Sequence, residues 1–91
     1  MAESLDVGSI AFSKSGRDSG RYYVIVEIVN ADFVKIVDGK TRRLEKPKLK
    51  KLKHLKLVND SLPKIAEKLK NNKKIFDAEI RSALRDYNGS I

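Results

Sequence analysis

Apolar residues recur at every second position through much of the first two thirds of the chain, and at every third and fourth position in the last third. Those two periods belong to strands and helices respectively. In residues 8–13, Ile10 and Phe12 alternate with small or polar neighbours, which predicts a short half-buried strand. Residues 14–21 carry two glycines, two serines and an aspartate without one apolar side chain, the make-up of a loop. Residues 21–29 are dominated by β-branched and aromatic side chains and give the strongest strand signal, with Val24, Val26 and Ile28 on one face. A turn at Asn30-Ala31-Asp32 leads into a returning strand over 33–37. Asp38-Gly39 then has the signature of a tight type I′ turn.

Beyond Lys40 the pattern changes. Residues 41–44 are compatible with a short strand, and Pro47 makes 45–51 extended or turning. Leu49, Leu52, Leu55 and Leu57 recur among lysines. They fit either an amphipathic helix through Leu49, Leu52 and Leu55, or a last strand over 54–58 that buries Leu55 and Leu57 together. The strand is preferred, because the three preceding strands lack a closing partner. Asn59, Asp60 and Ser61 are N-cap candidates for a helix with Pro63 in its first turn, whose stripe is Leu62, Ile65, Ala66 and Leu69. Asn71-Asn72 breaks it. A second helix is expected over about 73–87, with Phe76, Ile80, Ala83, Leu84 and Tyr87 as its stripe and Gly89 at its end.

The element order predicts an α+β fold: a small SH3-like β-barrel followed by two C-terminal helices. Residues 1–6 read as a frayed N-terminus, 7–59 as the barrel, and 60–91 as a two-helix extension packed on it. At 91 residues the chain fits one domain. There is no cysteine, which excludes thiolate zinc sites, disulfides and a thiol nucleophile. No apolar run approaches the roughly 18 residues of a bilayer span. Residues 1–6 carry neither a basic n-region nor an h-region, so the cytoplasm is the default compartment.

Charge sharpens the reading. Nine basic residues lie between positions 40 and 56 (Lys40, Arg42, Arg43, Lys46, Lys48, Lys50, Lys51, Lys53 and Lys56) against Glu45 alone, so this segment carries the whole net charge of +8. Elsewhere acids and bases cancel. A charge confined to seventeen residues builds a local potential that attracts a polyanion. Lysine acts as a point charge, which favours phosphate contact over base reading. A second candidate is the loop Gly16-Arg17-Asp18-Ser19-Gly20-Arg21, where glycines let the backbone approach a ligand and N–H groups and guanidiniums can meet phosphate oxygens. Its bland alternative is an ordinary solvated hairpin loop. Of Tyr22 and Tyr23, alternation puts one in the core and leaves the other free to stack on a base. His54, the one histidine, suits a structural place at a strand start better than a phosphate contact. No Ser-His-Asp spacing, HExxH or P-loop is present, so neither an enzyme nor a cofactor or metal site is expected.

The stretch from Val7 through Gly16, Gly20 and Arg21 to Val26 resembles a KOW motif. The run from Val37 to Leu55, with Asp38-Gly39-Lys40, Pro47-Lys48, Lys50-Lys51 and His54-Leu55, resembles the signature of the KOW-domain proteins of the archaeal and eukaryotic large ribosomal subunit (the fourteen-e type) and their short bacterial relatives. The two stretches cover about half the chain. The resemblance implies an SH3-like barrel that binds ribosomal RNA. It directs attention to Lys14, Gly16, Arg17, Gly20 and Arg21, and to Lys40, Arg42, Arg43, Pro47, Lys48, Lys50, Lys51 and His54; the charge count adds Lys46 and Lys53 to the candidate RNA contacts. The ribosomal proteins usually continue into a longer basic C-terminal part, whereas the helices here are nearly charge-balanced. A module docking an acidic protein of the transcription or translation machinery is the alternative.

Overall fold

The computed structural model describes residues 5–16 and 19–88. Five strands, β1 (Ser9–Ser13), β2 (Tyr22–Ile28), β3 (Phe33–Val37), β4 (Lys48–Lys51) and β5 (Leu55–Ser61), precede three helices, α1 (Pro63–Lys70), α2 (Asp77–Ala83) and α3 (Arg85–Asn88). The fold is α+β. The strands form one curled antiparallel sheet in the order β4-β3-β2-β1-β5, and a 3-10 turn over Leu52–His54 joins the two edge strands.

The sheet is buried on both faces. Inside the curl, register places Ala11 opposite Tyr23, Ile25 opposite Ile36, and Ser13 opposite Leu55. With Val34 these apolar side chains form the inner core. On the outer face Val24 lies between Ile10 and Val37, and Ile65, Ile80 and Leu84 from the helices pack over them. Three successive residues of β2, Tyr23, Val24 and Ile25, are therefore fully buried. Simple alternation, which predicts one apolar face through Val24, Val26 and Ile28, holds only in part: Val26 is half-buried and Ile28 is exposed. A register shift between Ile25 and Glu27 accompanies the loss of cover.

The predicted strand over 54–58 is present and longer, and it pairs with β1 at the sheet's edge. Residues 59–61 thus belong to β5, and the first helix begins after Leu62. Its N-cap is Leu62, whose N–H donates to the Gly8 carbonyl at 3.0 Å, with Pro63 at the first helical position. Asn71 ends the helix as expected, and Asn72 takes φ 55°. The second predicted helix starts later and is interrupted. Residues 73–76 are not helical, Glu79 accepts the Phe76 N–H at 3.0 Å to start α2, and Leu84 separates α2 from α3. Phe76 is exposed, and Ile75 packs against the core instead. Asn88 binds the backbone of Tyr22 twice, accepting its N–H at 2.8 Å and donating to its carbonyl at 3.0 Å. That amide imitates a neighbouring strand and ties α3 to β2. Gly89 lies outside the described residues, as do residues 1–4 of the N-terminus. Leu5 and Asp6 are not frayed: Leu5 packs on the inner core, and Asp6 pairs with Lys70 at 2.9 Å.

Asp38-Gly39 does not make a two-residue hairpin, because the partner strand of β3 begins only at Lys48. The N–H groups of Asp38 and Gly39 both donate to the Arg42 carbonyl, at 2.9 and 3.0 Å, and curl residues 38–42 into a closed loop. This removes 41–44 from any sheet. Gly39, at φ 79°, lies against α2, where an added Cβ would stand 2.4 Å from the Asp77 carbonyl oxygen. Gly20, at φ 85°, faces open space. Gly39→Ala should accordingly cost about 2–4 kcal/mol in urea denaturation, and Gly20→Ala about 1 kcal/mol from backbone strain alone. Equal losses at the two positions would refute the close approach of α2.

Candidate nucleic-acid interface

The basic segment occupies the loop after β3, all of β4, the 3-10 turn and the start of β5. Because β4 and β5 are the two edges of the sheet, this charged run follows the seam where the curl would close. One buried carboxylate orders its first part. Asp38, whose side chain has no solvent exposure, accepts the N–H groups of Arg42 at 2.8 Å and Lys40 at 2.9 Å and the Thr41 hydroxyl at 2.8 Å. Helix α2 braces the same loop from outside. Asp77 accepts the Leu44 N–H at 2.8 Å, and Arg81 donates to the Gly39 carbonyl at 2.8 Å. Arg42, Arg43, Lys46 and Lys48 then line a groove of about 600 Å³ whose single acid is Glu45.

The candidate side chains divide by accessibility. Lys14, Lys40, Arg43, Lys46, Lys51 and Lys53 are exposed, while Arg42, Lys48 and His54 are half-buried. Lys50 is buried. Opposite Val34 in the register, it points into the curl, and its ammonium donates to the Ser15 carbonyl at 2.8 Å. It fastens the sheet's edge to the glycine loop instead of facing outward. The Lys14 N–H donates to the His54 carbonyl at 2.9 Å and makes a second tie. Two motifs far apart in sequence are thereby brought side by side.

The glycine loop offers less than its composition suggests. Gly16 and Gly20 are exposed, but the Gly20 N–H is bound to the Ser13 carbonyl at 2.9 Å and the Ser19 N–H to the Gly16 carbonyl at 3.2 Å. Arg21 is turned toward Asp38, with its Nε buried and 3.6 Å from the carboxylate. Arg17 lies outside the described residues. Neither tyrosine offers a free platform: Tyr23 is fully buried, and the ring of Tyr22 lies between Phe12 and Tyr87, with centroids 4.9 and 5.1 Å away. Beside the basic band, outside the groove, lies the half-buried Phe33, opposite Lys51, whose ammonium sits 5.8 Å from the ring centroid.

Periodicity marks neither Asp38 nor Phe33 as special, since the first has turn composition and the second begins a strand. The one available signal for Asp38 was a short acid among donors, followed by glycine and Thr41. Among the described residues no group of His, Asp and Glu is arranged to hold a metal, and no helix is long and apolar enough to cross a membrane. No protein-family model matches the chain.

Burial raises the proton affinity of Asp38, but the N–H groups of Arg42 and Lys40, the Thr41 hydroxyl and the nearby Arg21 outweigh it and hold the carboxyl below its ordinary value. The folded state therefore binds fewer protons here than the unfolded chain. The resulting stability is complete above the ordinary aspartate value of about 4 and is lost as pH falls through the lower folded value. Asp38→Asn should destabilise the protein by about 1–2 kcal/mol at neutral pH and remove part of its acid-induced loss of stability. Denaturant titrations between pH 7 and 2.5 check this; parallel curves for the two proteins would sink it.

Proposed function

We propose that the protein is an RNA-binding module of the KOW type, which docks on structured RNA, ribosomal RNA foremost, and is not an enzyme. The observation that carries this reading is the confinement of the entire net charge of +8 to residues 40–56, in a segment that is folded as loop, strand and turn. A mobile lysine tail would associate with any polyanion, whereas cations held in fixed relation select a phosphate geometry. The five-strand order with a 3-10 turn before the last strand is compatible with the SH3-like barrel that the resemblance implies. RNA is preferred to DNA because of that resemblance and because α2, the helix that follows α1, carries Asp77 and Glu79 against Arg81 and so makes a poor basic recognition helix for a major groove.

The mechanism is electrostatic docking. Arg42, Arg43, Lys46 and Lys48 line the groove, and phosphates entering it displace condensed counterions. Arg42 and Arg43 add forked donors to otherwise point-like charges. Lys51, Lys53 and Lys56 continue the band beyond the groove. Lys50 acts from beneath by fixing the seam.

Arg43→Glu/Lys46→Glu changes exposed side chains and should leave the fold intact. Binding to a structured ribosomal RNA fragment should weaken at least tenfold at moderate salt. The log–log salt slope should fall by about 1.5, the loss expected for two phosphate contacts. Lys64→Glu/Arg85→Glu, an equal change of net charge on the helices, should leave the slope nearly unchanged. Equal effects of the two double variants would refute a localised interface. Association with ribosomal subunits that survives nuclease would favour an acidic protein partner instead.

A further inference from the structure

A second hollow lies on the same basic band, away from the groove. It encloses about 350 Å³ between Asp32, Phe33, Lys51, Leu52 and Lys53. That is near the lower end of small-ligand sites, about 300–1,000 Å³, and so suits one planar group better than a helix. Its floor is well fixed. Asn30 Oδ1 accepts the N–H groups of Asp32 and Phe33 at 2.8 and 2.9 Å, and the Leu52 N–H donates to the Asp32 carbonyl at 2.8 Å. The backbone at both ends of the hollow is therefore pinned before anything binds.

The lining combines three chemistries. Phe33 and Leu52 supply apolar surface. Lys51 and Lys53 supply exposed cations on flexible stems, and Lys51 already lies 5.8 Å from the Phe33 ring centroid. Asp32 supplies a carboxylate, which disfavours a phosphate within the hollow itself and accepts hydrogen bonds from an exocyclic amine. A flat, amine-bearing aromatic group with anions on either side meets all three demands.

We propose that this hollow receives one unpaired nucleobase of the bound RNA, stacked on Phe33, with Lys51 and Lys53 on the flanking phosphates. The inference rests on the RNA-binding reading above and adds to it a selection for RNA with an unstacked nucleotide. A base inside a duplex already has stacking neighbours and cannot reach the ring, whereas a bulged or looped base can. Stacking on an aromatic side chain tolerates several bases, and the Asp32 acceptor favours those with an exocyclic amine over uracil.

The test uses the full chain and two RNAs with the same stem, one fully paired and one with a single bulged 2-aminopurine. The wild-type protein should bind the bulged RNA roughly tenfold more tightly and change the emission of the 2-aminopurine. Phe33→Leu should abolish both the preference and the emission change, while its affinity for the paired RNA and its salt slope stay as in wild type. Phe33→Tyr keeps a ring and should keep the preference, which guards against a leucine variant that fails to fold. Equal affinity of the wild type for the two RNAs overturns the proposal and leaves the electrostatic reading standing. So does an emission change that persists in a folded Phe33→Leu protein, or a preference lost in a folded Phe33→Tyr protein. Failure of the wild type to bind either RNA overturns both readings.

Discussion

The structure depends on burying β2 from both sides. A sheet that packs one face on a core and turns the other to water needs apolar residues only at alternate positions. Here Tyr23, Val24 and Ile25 are consecutive and all enclosed, so the strand needs a core above it and another below. Curling the sheet supplies the inner core. The helices supply the outer one, through Ile65, Ile80 and Leu84. Neither suffices alone: without the helices, Ile10, Val24 and Val37 would lie open to water along the middle of the sheet. At roughly 25 cal/mol per Å² of apolar surface returned to solvent, that would remove several kcal/mol from a domain of this size.

This two-sided demand also governs where charge can go. With both faces of the central strands apolar, the long basic run falls to the edge strands and their connections. Even there it is not wholly at the surface. Asp38 enters the sheet end to gather the loop's N–H groups, and Lys50 enters the curl to hold the Ser15 carbonyl. One acid and one base are thus withdrawn from the surface as fasteners. The stem of Lys50 fills inner space beside Val34, which a glutamate could not do without burying an unmatched charge.

Much of this was legible in the sequence, and the misses have physical causes. The strand over 33–37, the loop character of residues 14–16 and 19–21, the last strand around Leu55 and Leu57, and the first helix with its Ile65 stripe all follow from period and breakers. The strand after Asp38-Gly39 does not exist, because side-chain acceptance by Asp38 competes with a hairpin and wins. The second helix was read too long, since apolar spacing cannot reveal that its residue before the first turn is extended or that Leu84 interrupts it. In the basic segment, the charge count shows where the cations lie along the chain but not the direction of each side chain. Lys50 and Lys51 are neighbours in sequence and face opposite ways, one into the curl and one out over Phe33. Only strand register makes that distinction.

The bond between Asp77 and Leu44, with that between Arg81 and Gly39, makes α2 and the basic loop one mechanical unit. Free energy linkage runs in both directions across such a joint. Any partner that steadies the loop must also slow the opening of α2, even though it never touches the helix. The amides of Ile80 and Leu84, on the helix side of that joint, thus become reporters of its occupancy by hydrogen exchange. Helix α2, whose Asp77, Glu79 and Arg81 add nothing to the positive charge of that band, holds the other end of the lever.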